Sequence, residues 1–199
     1  MRTRSKLLFA GLMASVLLAT AVGVAAATRL ELDERRFNAK WSSLKFKGPF
    51  GETHANCPIT LEGSFHSNTI AKTVGALIGH ISRATSGTCI EGSTTILQES
   101  LPWHITYAGF SGTLPDITLI MINLVGASFQ VPLCLSTTTT ARPARGNIEL
   151  IRERGGLLKA TNLVADPTFT IPCGIATGRF EGTATTEKLA GGQILVRLI

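Results

Sequence analysis

Residues 57–65 read CPITLEGSF, and they alternate. Cys57, Ile59, Leu61 and Phe65 fall on one side of an extended chain, with Thr60, Glu62 and Ser64 on the other. Successive side chains of a strand point to opposite faces, so this period turns one set toward a core and the other toward water. The pattern returns in TFTIPCGIATGRF, residues 168–180, where Phe169, Ile171, Cys173 and Ile175 share a face. From Trp41 onward, short apolar runs rich in Thr and Ser are broken by Gly or Pro about every eight to twelve residues, a spacing that belongs to sandwiches and barrels. The chain is therefore expected to be all-β: a disulfide-stapled β-sandwich or flattened barrel of about eight to eleven strands.

Two stretches test that reading. ITLIMINLVGASFQVPL, residues 117–133, is apolar on both faces and predicts a central strand covered on both sides and ended near Gly126. In NTIAKTVGALIGH, residues 68–80, the ladder Ile70, Val74, Leu77, Ile78, continued by Ile81, matches an amphipathic helix. Gly75 and Gly79 would each cost that helix about 1 kcal/mol. At most one short helix near 68–78 is expected, with a strand from about Ala76 as the favoured alternative.

The two sulfur-bearing faces imply bridges. Cys57, Cys89, Cys134 and Cys173 are the four cysteines, and an even number in an exported chain reads as two disulfides. The sequential pairing, Cys57–Cys89 and Cys134–Cys173, is expected. A zinc site has little support, because no C-x-x-C exists and the one close His–Cys pair is His54 and Cys57 in HANC.

Export is read from the start of the chain. A basic MRTRSK precedes LLFAGLMASVLLATAVGVAAA, and Ala25 and Ala27 fit a small-residue cleavage rule. The expected organisation is a signal peptide over 1–27, a polar N-terminal tether over 28–40 and a single β domain over 41–199. The alternative is that the leader stays as an anchor, since its apolar run is just long enough to span a bilayer. The formal charge of +6 loses Arg2, Arg4 and Lys6 with the leader and falls to +3, spread thinly. That balance excludes a concentrated basic face for nucleic acid. No later apolar run predicts a transmembrane helix in the mature chain.

Chemistry is sparse. LPWHITYAGFSGTLP, residues 101–115, gathers Trp103, His104 and the only tyrosine, Tyr107. On a strand, Trp103 and Tyr107 share a face. They form either core or a binding face for stacking on a sugar or lipid. STTTTARPARG, residues 136–146, is a polar loop whose Arg142 and Arg145 could meet an anionic surface. No G-x-S-x-G, H-E-x-x-H or phosphate-binding glycine motif is present. No cofactor is implied. The expectation is a secreted or cell-envelope domain that binds an extracellular ligand or cell-surface component without catalysis, with Trp103, Tyr107, Arg142 and Arg145 as binding residues. The alternatives are an extracellular hydrolase with His66 or His104 as base, and a membrane-inserting barrel, for which the chain has few girdle aromatics.

Overall fold

The computed structural model describes residues 29–114, 116–131, 139–140, 144–152, 158–165, 170–173 and 176–199. Its strands, in chain order, are β1 (Arg29–Leu32), β2 (Arg36–Lys47), β3 (Thr53–Phe65), β4 (Thr69–Ala71), β5 (Leu77–Ser86) and β6 (Thr95–Ile96). They continue with β7 (Trp103–Thr113), β8 (Asp116–Val125), β9 (Ser128–Gln130), β10 (Thr139–Thr140) and β11 (Ala144–Arg152). The last five are β12 (Leu158–Ala165), β13 (Thr170–Cys173), β14 (Ala176–Glu181), β15 (Thr183–Lys188) and β16 (Leu195–Leu198). The described residues contain no α-helix, only a 3-10 turn at Gln98–Ser100.

Eight of these strands close on themselves. Each pairs antiparallel with the next in the order β2, β3, β5, β7, β8, β11, β12, β15, and β15 returns to β2 with Ala184 opposite Trp41. The result is an up-and-down barrel, which removes the sheet edges that an open sandwich would leave. A close approach permits the final seam. A Cβ on Gly182, between β14 and β15, would stand 2.7 Å from the Ser43 carbonyl oxygen. Ser43 lies where the register of β2 against β3 shifts between Trp41 and Leu44. Only glycine lets the chain leave β14, cross that bulge and continue along β2 as β15.

The alternation of CPITLEGSF is realised in full, since Cys57, Ile59, Leu61 and Phe65 are all buried. Ala39 and Trp41 from β2, Ile81 and Ala84 from β5, and Ile105 and Tyr107 from β7 join them inside. Lys40, Glu62, Arg83, Thr85 and Thr185 lie between the buried positions and face out. This wall is the inverse of a bilayer-inserted barrel, which carries an apolar band outside and a polar lumen.

Both ends of the barrel are stoppered. At one end, β16 pairs with the start of β12, β1 with β16, and β4 with β1. This flap delivers Leu30, Leu32, Ile70 and Val196 to the interior. At the other end the small sheet of β10, β9 and β6 brings in Phe129. Its ring centroid lies 5.4 Å from Trp103 and 5.5 Å from Phe46. Of the polar tether expected over 28–40, Arg29–Leu32 and residues 36–40 are accordingly strand. The alternation Arg-Leu-Glu-Leu and Arg-Phe-Asn-Ala buries Leu30, Leu32, Phe37 and Ala39.

The strand favoured from about Ala76 is found, and one further expectation is corrected. The ladder from Ile70 to Ile81 is strand and turn, because Gly75 takes φ +83° and the chain re-enters the sheet at Leu77. The β8 run ends at Gly126, which has φ +92°, but it is not covered on both sides. Leu119 and Met121 are half-buried and Val125 is exposed on the outer wall.

Cys57 and Cys89 form a disulfide across 32 residues. The bridge ties the loop after β5 to β3, and backbone bonds join Asn56 to Glu91 and Ile90 to Asn56, each at 2.8 Å. Cys134, expected to pair with Cys173, lies outside the described residues. In the chain-entropy account, closing a loop of this length stabilises the fold by about 3.7 kcal/mol. The double variant Cys57→Ala/Cys89→Ala should therefore lose about 3–4 kcal/mol in urea unfolding. An unchanged midpoint would show that this bridge does not constrain the unfolded chain.

A second prediction concerns acid. Lys47 of β2 pairs with Glu181 of β14 at 2.6 Å, and that hydrogen bond holds the Glu181 carboxyl below its ordinary 4.5. Glu34 is lowered by the backbone N–H groups of Arg36 and Arg35, and Glu52 by His54. A lowered folded value stabilises above the unfolded value and is lost as pH falls through the folded one. Thermal melts should be flat from pH 7 to about pH 5 and drop below about pH 4.5. In Lys47→Ala the part of that drop owed to Glu181 should shrink.

Candidate functional site

Trp103 and Tyr107 belong to the interior. Trp103 is 0 % exposed and Tyr107 1 %, so neither offers a stacking face, and the binding face expected on them is corrected to core. Their strand turns that side inward because Ile105 and Tyr107 register with Leu124 and Ile122 on the inner side of β8. The Trp103 indole N–H donates to Ser100 Oγ at 2.8 Å, and Ser100 donates to the Leu97 carbonyl at 2.6 Å. Tyr107 has no such relief. Its hydroxyl is buried without a hydrogen-bond partner among the described residues, and burial pushes its ionisation up.

The interior offers little room. Two voids among the described residues measure about 70 and 40 Å³ and are lined by apolar side chains such as Phe37, Ile122 and Leu163. Ligand pockets usually span about 300–1,000 Å³. These voids are packing gaps in a stoppered core, not a calyx.

The outer wall offers more. A groove of about 440 Å³ runs across the outside of β7, β8, β11 and β12. Ser111 comes from the end of β7, Thr118 and Leu119 from the start of β8, Glu149 and Ile151 from β11, and Thr161 and Asn162 from β12. Irregular register opens it. The ladder of β7 with β8 shifts between Ser111 and Gly112, and that of β11 with β12 between Ile148 and Leu150. Such bulges re-aim side chains that a regular ladder would space evenly.

The polar groups there are tied to one another. Asn162 Nδ2 donates to Glu149 Oε2 at 2.8 Å, and Thr161 Oγ1 donates to the Glu149 carbonyl at 3.3 Å. Thr118 Oγ1 reaches the Ser111 carbonyl at 3.5 Å. Asn162 thus holds one carboxylate oxygen and fixes the side chain, while the second oxygen keeps its lone pairs. Leu119 and the exposed Ile151 supply an aliphatic wall beside these groups.

No histidine lines this groove. His66 and His104 are exposed on other parts of the wall, and no carboxylate or hydroxyl among the described residues hydrogen-bonds to either. His54 is bonded to Glu52 at 2.9 Å, while Cys57 is consumed by its bridge. Arg145 falls on β11 in register with Asn123. Arg142 lies outside the described residues. The groove residues left no signal in the sequence beyond ordinary outward-facing positions, because they come from four strands. No family model, curated protein or solved structure matches this chain.

The two aromatic positions make opposed predictions. Trp103→Ala should cost about 3–5 kcal/mol, as a large cavity opens in the core. Tyr107→Phe removes a buried hydroxyl that makes no bond, so it should leave stability unchanged or raise it by up to about 1 kcal/mol. Guanidinium unfolding of both variants checks the pair. A destabilised Tyr107→Phe would mean that the hydroxyl has a partner.

Proposed function

We propose that this protein is an exported, non-catalytic binding barrel that takes a hydroxyl-rich ligand of the glycan class in its outer-wall groove. The observation that carries the reading is the groove itself: a pre-bound carboxylate, an amide and three hydroxyl side chains beside an aliphatic wall, gathered by two register shifts. A sugar ring presents hydroxyls that donate and accept on its rim and C–H groups on its faces. Glu149 would accept from ring hydroxyls, Ser111 and Thr161 would exchange donors and acceptors with them, and Leu119 and Ile151 would meet the C–H face. The leader over residues 1–27 and the Cys57–Cys89 bridge support an oxidising destination outside the cytoplasm. The Thr118 and Thr161 hydroxyls bond to backbone carbonyls and the Glu149 carboxylate to Asn162, so no hydroxyl among the described groove residues is aligned on a base, and the role favoured is recognition and not turnover.

The test is a two-dimensional amide NMR titration with oligomers of N-acetylglucosamine and, separately, of glucose. Perturbed amides should cluster at 111, 118–119, 149–151 and 161–162. Glu149→Gln removes a charge-assisted acceptor worth about 1.5–3 kcal/mol, so affinity should fall about tenfold or more. Perturbations confined to other parts of the wall, or none at about 10 mM sugar, would overturn the reading.

A further inference from the structure

Three of the four histidines in the chain, scattered at positions 66, 80 and 104, become neighbours on the outside of the barrel. The register places His80 of β5 directly opposite His104 at the start of β7. Directly opposed residues on one face bring their Cβ atoms to about 4.5–5.5 Å. On the other flank His80 registers with Ser64. His66, two residues on, keeps its place through a backbone bond from its N–H to the Ile78 carbonyl at 2.9 Å. The His66 and His80 rings stand 5.6 Å apart between centroids, tilted by 41°. His66 and His104 are exposed and His80 is half-buried.

We propose that His66, His80 and His104 form an outer-wall site for a divalent transition-metal ion. The ring spacing fits. Two imidazoles that share a tetrahedral zinc with Zn–N bonds near 2.0–2.1 Å place their centroids about 5.2 Å apart. In the rotamers seen here no three donor groups converge on one point among the described residues. The ion is held first by His66 and His80, and His104 closes on it by a side-chain rotation of the kind that exposed residues make within nanoseconds. Ser64 and water complete the coordination.

The surroundings decide which ion. Glu62, two positions before Ser64 on β3, is engaged by Arg83 at 3.6 Å, and Arg36 registers with Ser64 on the far side. A site flanked by arginines gains nothing from charge and must win through nitrogen coordination. Imidazole suits zinc, copper and nickel, whereas calcium and magnesium require oxygen donors. This site is separate from the groove: His104 opens β7, and Ser111 stands near its other end.

Zinc chloride titrated into the full chain, followed by calorimetry and by the histidine ring resonances, tests the proposal. One equivalent should bind, shifting the His66 and His80 rings and leaving His54 unmoved. His80→Ala and His66→Ala should each weaken zinc at least tenfold while circular dichroism melts stay unchanged. His54→Ala should bind as the parent does. Absence of binding at millimolar zinc, unchanged affinity in His80→Ala or His66→Ala, weakened affinity in His54→Ala, or equal competition by calcium would overturn it. Should His80→Ala fail to fold, His66→Ala decides alone, because the His66 side chain is exposed beside the ring of His80.

Discussion

The seam where β15 meets both β12 and β2 governs this molecule. Seven of the eight barrel pairings join strands that follow one another around the ring, and they would form a twisted open sheet on their own. Only the eighth, with Ala184 against Trp41, joins the two ends of that sheet. Closure removes the exposed hydrogen-bonding edges and encloses one apolar face completely. It also demands local concessions: the bulge in β2 near Ser43, and at Gly182 a residue with no side chain to block the crossing.

Enclosure has a consequence for function. A barrel whose lumen is filled by Trp41, Trp103, Tyr107 and many aliphatic side chains, with Phe129 at one end and Leu32, Ile70 and Val196 at the other, leaves little interior room among the described residues. Voids of 70 and 40 Å³ are too small for any ordinary ligand. Chemistry is thereby displaced to the outside, where bulges and cross-strand neighbours bring polar groups together. The groove with Glu149 and Asn162 and the histidine row at 66, 80 and 104 are two products of that displacement. Each depends on register and not on a contiguous motif.

Much of the architecture was legible in particular residues. The alternation at Cys57, Ile59, Leu61 and Phe65 marked β3 and its buried face, and Gly126 marked the end of β8. The Cys57–Cys89 bridge is the one expected from the sequential choice among the three pairings that four cysteines allow. The same rule misjudged residues 29–40, because Asp33–Arg35 interrupt two short alternations and make a charged stretch of what is sheet. It also over-read the β8 run: Leu119, Met121 and Val125 are apolar yet point outward. A strand's period shows that two faces differ, but an apolar residue on each face does not reveal that only one is covered.

What the sequence determined by itself is local: which residues extend, which side of each strand is apolar, and which cysteines stand ready to bridge. These are set by side-chain periodicity and backbone preference over fewer than about a dozen residues. Tertiary structure alone decided that Trp103 and Tyr107 are core and not surface, that the sheet closes into a barrel and not a sandwich, and which outward residues meet. The physical reason is that cross-strand neighbours are fixed by register and ring closure, and both are sums over many strands that no single segment carries.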